Sequence, residues 1–181
     1  MVTNIREKIA DLKFRSKTRA VKYVYAGYDS IDEFIDKAAS DLSSGIEVVL
    51  LSGKNLTDSE FLDCAKKLKQ LCDMFEATFI VESRVDIAYL SGADGVNLNE
   101  EDVDIQSAKE ILGEEIYIGI SLNTLSDVLD LVKDGADYIS VNQIPSTPTE
   151  PVIKTGLEYA KWVSENTLLP VLWFGDDAQI S

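Results

Sequence analysis

The sequence predicts an α/β fold of the (β/α)8 TIM-barrel type that is incomplete and has seven strands. Three segments of one form support this prediction: residues 45–49, 92–96 and 135–139. Each follows a helix-like stretch and opens a strand-like run, as a glycine at a helix C-terminus requires. Their spacings of 47 and 43 residues fit about two βα units each, at roughly 20 to 25 residues per unit. A doubly wound open sheet is the alternative.

Seven segments are rich in Val, Ile and aromatic residues, as buried parallel strands are. They are residues 21–25, 47–51, 78–81, 95–98, 116–120, 138–141 and 170–174. Helices are predicted between them at residues 30–43, 57–74, 124–133 and 153–165, with another near the N-terminus at 4–12. The first two of these open on the capping residues Ser30 and Thr57.

Only seven residues follow Phe174, so we expect the eighth βα unit of a closed barrel to be missing. An open sheet edge invites pairing. We therefore expect the N-terminal helix, or a second copy in a homo-oligomer, to cover it.

The composition indicates one domain, residues 1–181, and excludes several functions. Lys and Arg total 17 against 32 Asp and Glu, a net charge of -15, which repels nucleic acid and anionic membranes. His is absent, which removes the commonest general base and metal ligand. No apolar stretch approaches the roughly 20 residues of a membrane helix, and no secretory signal is apparent. A cytoplasmic protein is expected.

The two cysteines, Cys64 and Cys72, lie eight residues apart on one predicted helix. About 12 Å then separates them along the helix axis, which is too far for a disulfide. Both are expected to be buried, inert thiols.

Motifs at the predicted strand ends follow one another in a distinctive order. They are residues 77–88, 92–98, Glu101 and Asp102, residues 118–121 with Thr124, residues 135–138 and residues 146–149. In order and spacing they resemble thiamine phosphate synthase, also called thiamine-phosphate pyrophosphorylase, and its sister the thiazole tautomerase. The resemblance covers residues 23–175.

The resemblance implies a transferase of thiamine biosynthesis that joins an aminopyrimidine diphosphate to a thiazole phosphate, with Mg²⁺ holding the departing pyrophosphate. Such chemistry needs positive charge around the leaving group more than it needs a base, so no catalytic residue is assigned. In the family, a Gln-x-Arg-x-Lys run binds the diphosphate. Residues 50–54 stand in its place and keep only Lys54.

The metal and phosphate sites implied by the resemblance are partly altered. Asp102 matches one metal-binding carboxylate, whereas Glu82 with Ser83 replaces the Asn-Asp pair that supplies the other. Glu82 could still reach the ion through its longer side chain. Ser121 matches a residue near the pyrimidine, and Thr147 and Thr149 match hydroxyls that contact the thiazole phosphate.

Other family residues are replaced by acidic ones. Glu150 stands where the family has a lysine, and Asp176 interrupts a Gly-Gly turn. The tautomerase would carry a His near Asn123, and none exists. The predicted mouth is strongly acidic and is opposed by Lys54 and Arg84. Loss of charge-assisted contacts at about 1.5 to 3 kcal/mol each predicts a degenerate active site with impaired or lost catalysis.

Three hypotheses follow: a synthase with a rearranged ion site, a non-catalytic phosphate-binding module, and an assembly protein derived from this fold. Each candidate residue also has a structural interpretation. Lys54 could be a solvated loop residue, Asp102 a helix-dipole carboxylate, and the threonines turn residues. Arg84 is expected to pair with Asp86. Four strand aromatics are expected in the core: Tyr23, Tyr25, Phe79 and Trp173.

Overall fold

The computed structural model describes residues 20–24, 30–121, 135–142, 156–167 and 169–174. Seven strands form one sheet in chain order. The strands are β1 (Ala20–Val24), β2 (Val48–Ser52), β3 (Thr78–Glu82), β4 (Gly95–Leu98), β5 (Tyr117–Ser121), β6 (Tyr138–Asn142) and β7 (Val171–Phe174). The described helices are α1 (Ile31–Ser43), α2 (Asp58–Met74), α3 (Val85–Ser91), α4 (Ile105–Leu112) and α5 (Gly156–Asn166).

Every neighbouring pair of strands is parallel. The sheet curls enough to bring Cα atoms of β1 and β7 within 8 Å of each other, yet the described residues of these two strands form no ladder. The α/β class with a parallel sheet is confirmed. The incomplete seven-stranded barrel stays a prediction.

Strand positions match the sequence prediction to within one residue at each end. Helices 30–43 and 57–74 are confirmed, and 153–165 is confirmed over its described part, Gly156–Asn166. The predicted helices 4–12 and 124–133 lie outside the described residues. The agreement follows from two local signals, since runs of β-branched residues mark the strands and glycines follow α1, α3 and α4.

The two predicted caps are present. The Ser30 hydroxyl accepts the N–H of Glu33 at 3.1 Å at the start of α1. At the start of α2, Thr57 Oγ1 accepts the N–H of Glu60 at 3.4 Å while Glu60 Oε2 accepts the N–H of Thr57 at 2.9 Å. This reciprocal capping box satisfies two N–H groups that would otherwise lack partners.

The repeated glycine–alanine–aspartate segments clamp each turn to the preceding strand. Asp94 Oδ2 accepts the N–H of Phe79 at 2.8 Å, and the Asp94 N–H donates to the carbonyl of Phe79 at 2.9 Å. Asp137 repeats this pattern on β5, with distances of 3.0 Å and 2.8 Å to Ile118. The repeat that suggested the architecture therefore fixes the amino-terminal ends of β4 and β6.

The sheet buries both of its faces. The outer face packs against the helices, through side chains such as Phe34, Leu51, Phe79, Val96 and Ile118. The inner face carries a second apolar cluster formed by Val48, Leu50, Ile80, Tyr117, Tyr138, Leu172 and Phe174. Alternation along each strand separates the two sets, as the period of two in a strand requires. The site occupies the carboxyl-terminal end of the inner face.

Two of the four strand aromatics predicted to lie in the core have described side chains. Phe79 is buried and Trp173 is half-buried, while the side chains of Tyr23 and Tyr25 lie outside the described set. Cys64 and Cys72 are buried and unpaired, and burial raises the pKa of each thiol to about 12. The predicted burial is thus confirmed, and the inertness of the thiols stays a prediction. No helix among the described residues is long and apolar enough to cross a membrane.

Candidate functional site

Four polar residues lie on the inner face towards the ends of strands β3 to β6, and we call them the inner polar layer: Glu82, Asn97, Ser121 and Ser140. The sheet register pairs Glu82 with Asn97 and Ser121 with Ser140. Asn97 Nδ2 donates to Ser121 Oγ at 2.8 Å, and Ser121 Oγ lies 3.1 Å from Ser140 Oγ. Strands β4, β5 and β6 are therefore joined through side chains above an apolar interior.

Tyr138 forms the floor beneath this layer. A Cβ placed on Gly119 would lie 2.0 Å from the Tyr138 ring, so the glycine leaves the space that the ring fills. The Tyr138 hydroxyl donates to the carbonyl of Val96 at 3.2 Å. Burial raises the pKa of Tyr138 well above its usual value, with the charges of Asp137 and Glu82 adding to the effect. The floor is therefore a neutral ring.

Asn97 has one polar atom without a partner. The residue is wholly buried, and its Oδ1 accepts no hydrogen bond in the part of the chain that the structure describes. Buried side-chain polar atoms are normally satisfied. This oxygen is therefore a candidate point of contact for a bound molecule.

Lys54 lies two residues beyond the end of β2, in a turn closed by the Leu56 N–H donating to the Gly53 carbonyl at 3.1 Å. Asn55 takes a φ of 75° in this turn. A Cβ on Gly53 would lie 2.2 Å from the ring of Phe61, so the glycine lets the loop pass close to α2. Lys54 itself is exposed and forms no salt bridge with any described residue.

A hydrogen-bonded link joins the ends of β3 and β4. Asn99 Nδ2 donates to Ser83 Oγ at 2.7 Å, and the Asn99 N–H donates to Asp102 Oδ2 at 2.7 Å. Ser83 holds a φ of 63°, an uncommon conformation for a residue with a Cβ, while its N–H donates to the Asn97 carbonyl at 2.9 Å. The link fixes the half-buried Asp102 beside β4, and Oδ1 of Asp102 accepts no hydrogen bond from the described residues.

Arg84 is occupied by carboxylates. Its guanidinium donates to Asp86 at 2.8 Å and 2.6 Å and to Asp58 at 2.7 Å. These contacts raise the pKa of Arg84 and lower that of Asp86. The predicted pairing with Asp86 is confirmed. Arg84 is therefore compensated already and adds little positive charge to the mouth.

The comparisons with known proteins identify the family. The family model described as thiamine monophosphate synthase matches residues 23–178. The chain belongs to this family. The thiamine-phosphate synthase of Nostoc punctiforme is 35% identical over 144 residues, which cover 79% of this chain and 40% of that protein. The thiamine-phosphate synthase of Clostridioides difficile is 35% identical over 135 residues, covering 74% of this chain and 64% of that protein.

The chain thus matches less than two thirds of the length of either of these relatives. A solved structure of thiamine phosphate pyrophosphorylase from Pyrococcus furiosus superposes with a TM-score of 0.73 at 29% identity, covering 96% of this chain and 78% of that one. The 3-dehydroquinate dehydratase of Geobacillus kaustophilus superposes with a TM-score of 0.61 at 13% identity and shows the fold alone. The fold is therefore the TIM-like α/β fold of the thiamine monophosphate synthase family.

Some of the residues expected from the family resemblance fall at neighbouring strand ends. Glu82 ends β3, Lys54 follows β2, and Asp102 lies four residues after β4. Ser121 ends β5 within the inner polar layer. Thr147 and Thr149 lie outside the described residues, as do the replacements Glu150 and Asp176. Within the described ranges no three His, Cys, Asp or Glu side chains are grouped so that they could hold a metal.

Sequence reasoning missed Asn97, Asn99 and Ser140. Asn97 and Ser140 are single polar residues inside apolar strands, at inner-face positions by the period of two. That pattern, a polar residue interrupting a buried strand, is the signal that would have found them. Asn99 has no comparable signal, because its role depends on the unusual backbone of Ser83.

Proposed function

We propose that this chain binds phosphorylated thiamine precursors at the carboxyl-terminal end of its sheet and joins an aminopyrimidine diphosphate to a thiazole phosphate, with weakened catalysis. The observation that carries the proposal is the inner polar layer, in which Asn97, Ser121 and Ser140 form a hydrogen-bonded row. In barrels of this type the working groups sit at this end. Membership of the family supplies the reaction.

Lys54 is the proposed anchor for the diphosphate. It is exposed at a strand end and is not compensated by any described carboxylate, so its charge is available to an anion. The loop geometry set by Gly53 and Asn55 holds its backbone in place. The proposed thiazole phosphate contacts, Thr147 and Thr149, rest on the family resemblance alone.

Glu82 and Asp102 are the proposed ligands of Mg²⁺. Hard oxygen donors suit this ion, which commonly takes one or two carboxylates together with waters and substrate phosphates. The position of Asp102 supports this role, because Asn99 holds its Oδ2 and Oδ1 is left open to an ion. Once bound, the ion would offset the negative charge that develops on the departing pyrophosphate.

Two features support weakened catalysis. Leu50, which stands in place of the family's Gln, is wholly buried in the apolar inner cluster and cannot bind an anion. Ser52 replaces the family's Arg and brings no charge. Each lost charge-assisted contact weakens anion binding by about 1.5 to 3 kcal/mol. We therefore propose a slow reaction that depends strongly on Mg²⁺.

The test is a pyrophosphate-release assay at high protein concentration, with both precursors and with or without Mg²⁺. Release above the protein-free rate, lost without Mg²⁺ and reduced in Lys54→Ala, is expected. The matched control is Lys66→Ala, which removes an equal charge from the exposed surface of α2. No release from the unmodified chain would exclude catalysis, and calorimetry with thiazole phosphate would then detect a binding module.

A further inference from the structure

Asn97 is the one member of the inner polar layer with an unpartnered buried atom among the described residues. Its Nδ2 donates to Ser121 Oγ at 2.8 Å, and Oδ1 is left as an acceptor. An acceptor buried in this way is costly when no donor reaches it. None of the described residues supplies that donor, which leaves Oδ1 available to a bound molecule.

The described neighbours of Asn97 do not supply that donor. Its register partner on one side, Glu82, has only acceptor oxygens when ionised. Its partner on the other side, Gly119, has no side chain. Below, the Tyr138 hydroxyl is committed to the carbonyl of Val96. A donor on a ligand would reach Oδ1 from the carboxyl-terminal end of the sheet, where the proposed substrates bind.

We propose that Asn97 is a specificity-determining residue whose side-chain carbonyl accepts a hydrogen bond from an amino group on the ligand. The inference rests on the function proposed above, since an aminopyrimidine carries such a group on a flat ring. A site built to pair with an N–H discriminates against an analogue without it, because the protein acceptor is then left unsatisfied. Asn97 would thus select the amino-bearing pyrimidine over its isosteres.

The test is a cycle of two ligands and two proteins. Titration calorimetry with Mg²⁺, and without thiazole phosphate so that no turnover occurs, compares the aminopyrimidine diphosphate with an analogue in which methyl replaces the amino group. The unmodified chain should prefer the amino compound by about 10- to 100-fold. Asn97→Leu should bind both compounds equally. A merely structural role would weaken both ligands alike and leave their ratio unchanged.

Two further variants keep the test decisive. Lys66→Ala changes the exposed surface of α2, outside the inner polar layer, and it should retain the preference. Asn97→Ala replaces Asn97→Leu if thermal melting shows that the latter does not fold. Equal affinities in the unmodified chain, or an unchanged ratio in the Asn97 variant, would overturn the inference and leave the proposed function intact. Binding of neither pyrimidine would overturn both.

Discussion

Removing the carboxylate of Asp94 should destabilise the protein more than its position in a loop suggests. Asp94 Oδ2 accepts the N–H of Phe79 at 2.8 Å, and Oδ1 accepts Lys69 Nζ at 3.1 Å. The side chain is only 17% exposed. Asp94→Ala would leave the N–H of Phe79 without an acceptor at the start of a buried strand.

The magnitude follows from these two contacts. A hydrogen bond to a charged acceptor contributes about 1.5 to 3 kcal/mol. Lys69 also pairs with Asp73 at 2.5 Å, so losing its contact with Asp94 adds less than about 1 kcal/mol. We expect Asp94→Ala to lower the free energy of unfolding by about 2 to 4 kcal/mol. Asp94→Asn, which retains an acceptor oxygen, should lose about half as much.

Urea denaturation followed by circular dichroism measures this difference. With a slope of about 2 kcal/mol per molar urea, the midpoint should fall by roughly 1 to 2 M. Asp73→Ala is the matched control, because it removes the other carboxylate from Lys69 at an exposed position. A midpoint for Asp94→Ala equal to that of Asp73→Ala would refute the clamp as the source of stability.

Three further outcomes are expected. Lys54→Ala should weaken the binding of pyrophosphate with Mg²⁺ by about 10- to 150-fold in titration calorimetry, and Lys66→Ala should not; equal losses would place the anion elsewhere. Gly119→Ala should lower the free energy of unfolding by about 1 to 3 kcal/mol, because the added methyl group overlaps the Tyr138 ring. This loss should largely vanish in a Tyr138→Leu background. Equal losses in both backgrounds would contradict the overlap. Burial raises the pKa of both cysteines to about 12, so at pH 8 they should react with a thiol reagent only when urea unfolds the protein. Prompt labelling without urea would contradict their burial.

Local signals in the sequence predict the framework well. Ser30 and Thr57 mark helix starts because capping depends on residues within one turn. The strands are found because each is a short apolar run bounded by a glycine or a polar residue. The hydrogen bonds of Asp94 and Asp137 were not predicted. Asp94 accepts the N–H of Phe79, 15 residues earlier in the chain, and Asp137 accepts the N–H of Ile118, 19 residues earlier. That contact depends on how the sheet is assembled.

The same distinction applies to the site. The pairing of Arg84 with Asp86 was predictable because the two lie two residues apart. The row formed by Asn97, Ser121 and Ser140 joins residues 24 and 19 positions apart, and only the register of β4, β5 and β6 aligns them. A sequence pattern can flag the polar residues, but it cannot supply that register.

Charge balance decides how the proposed reaction would proceed. Among the described residues at the strand ends, Glu82 and Asp102 bring two negative charges to the proposed ion site and Lys54 brings one positive charge. Arg84 adds nothing, because Asp58 and Asp86 compensate it. The protein side therefore repels a diphosphate on its own, and a divalent cation would offset these two carboxylates and leave Lys54 to attract the anion. If the proposal is right, metal and diphosphate should bind together, each far more weakly without the other.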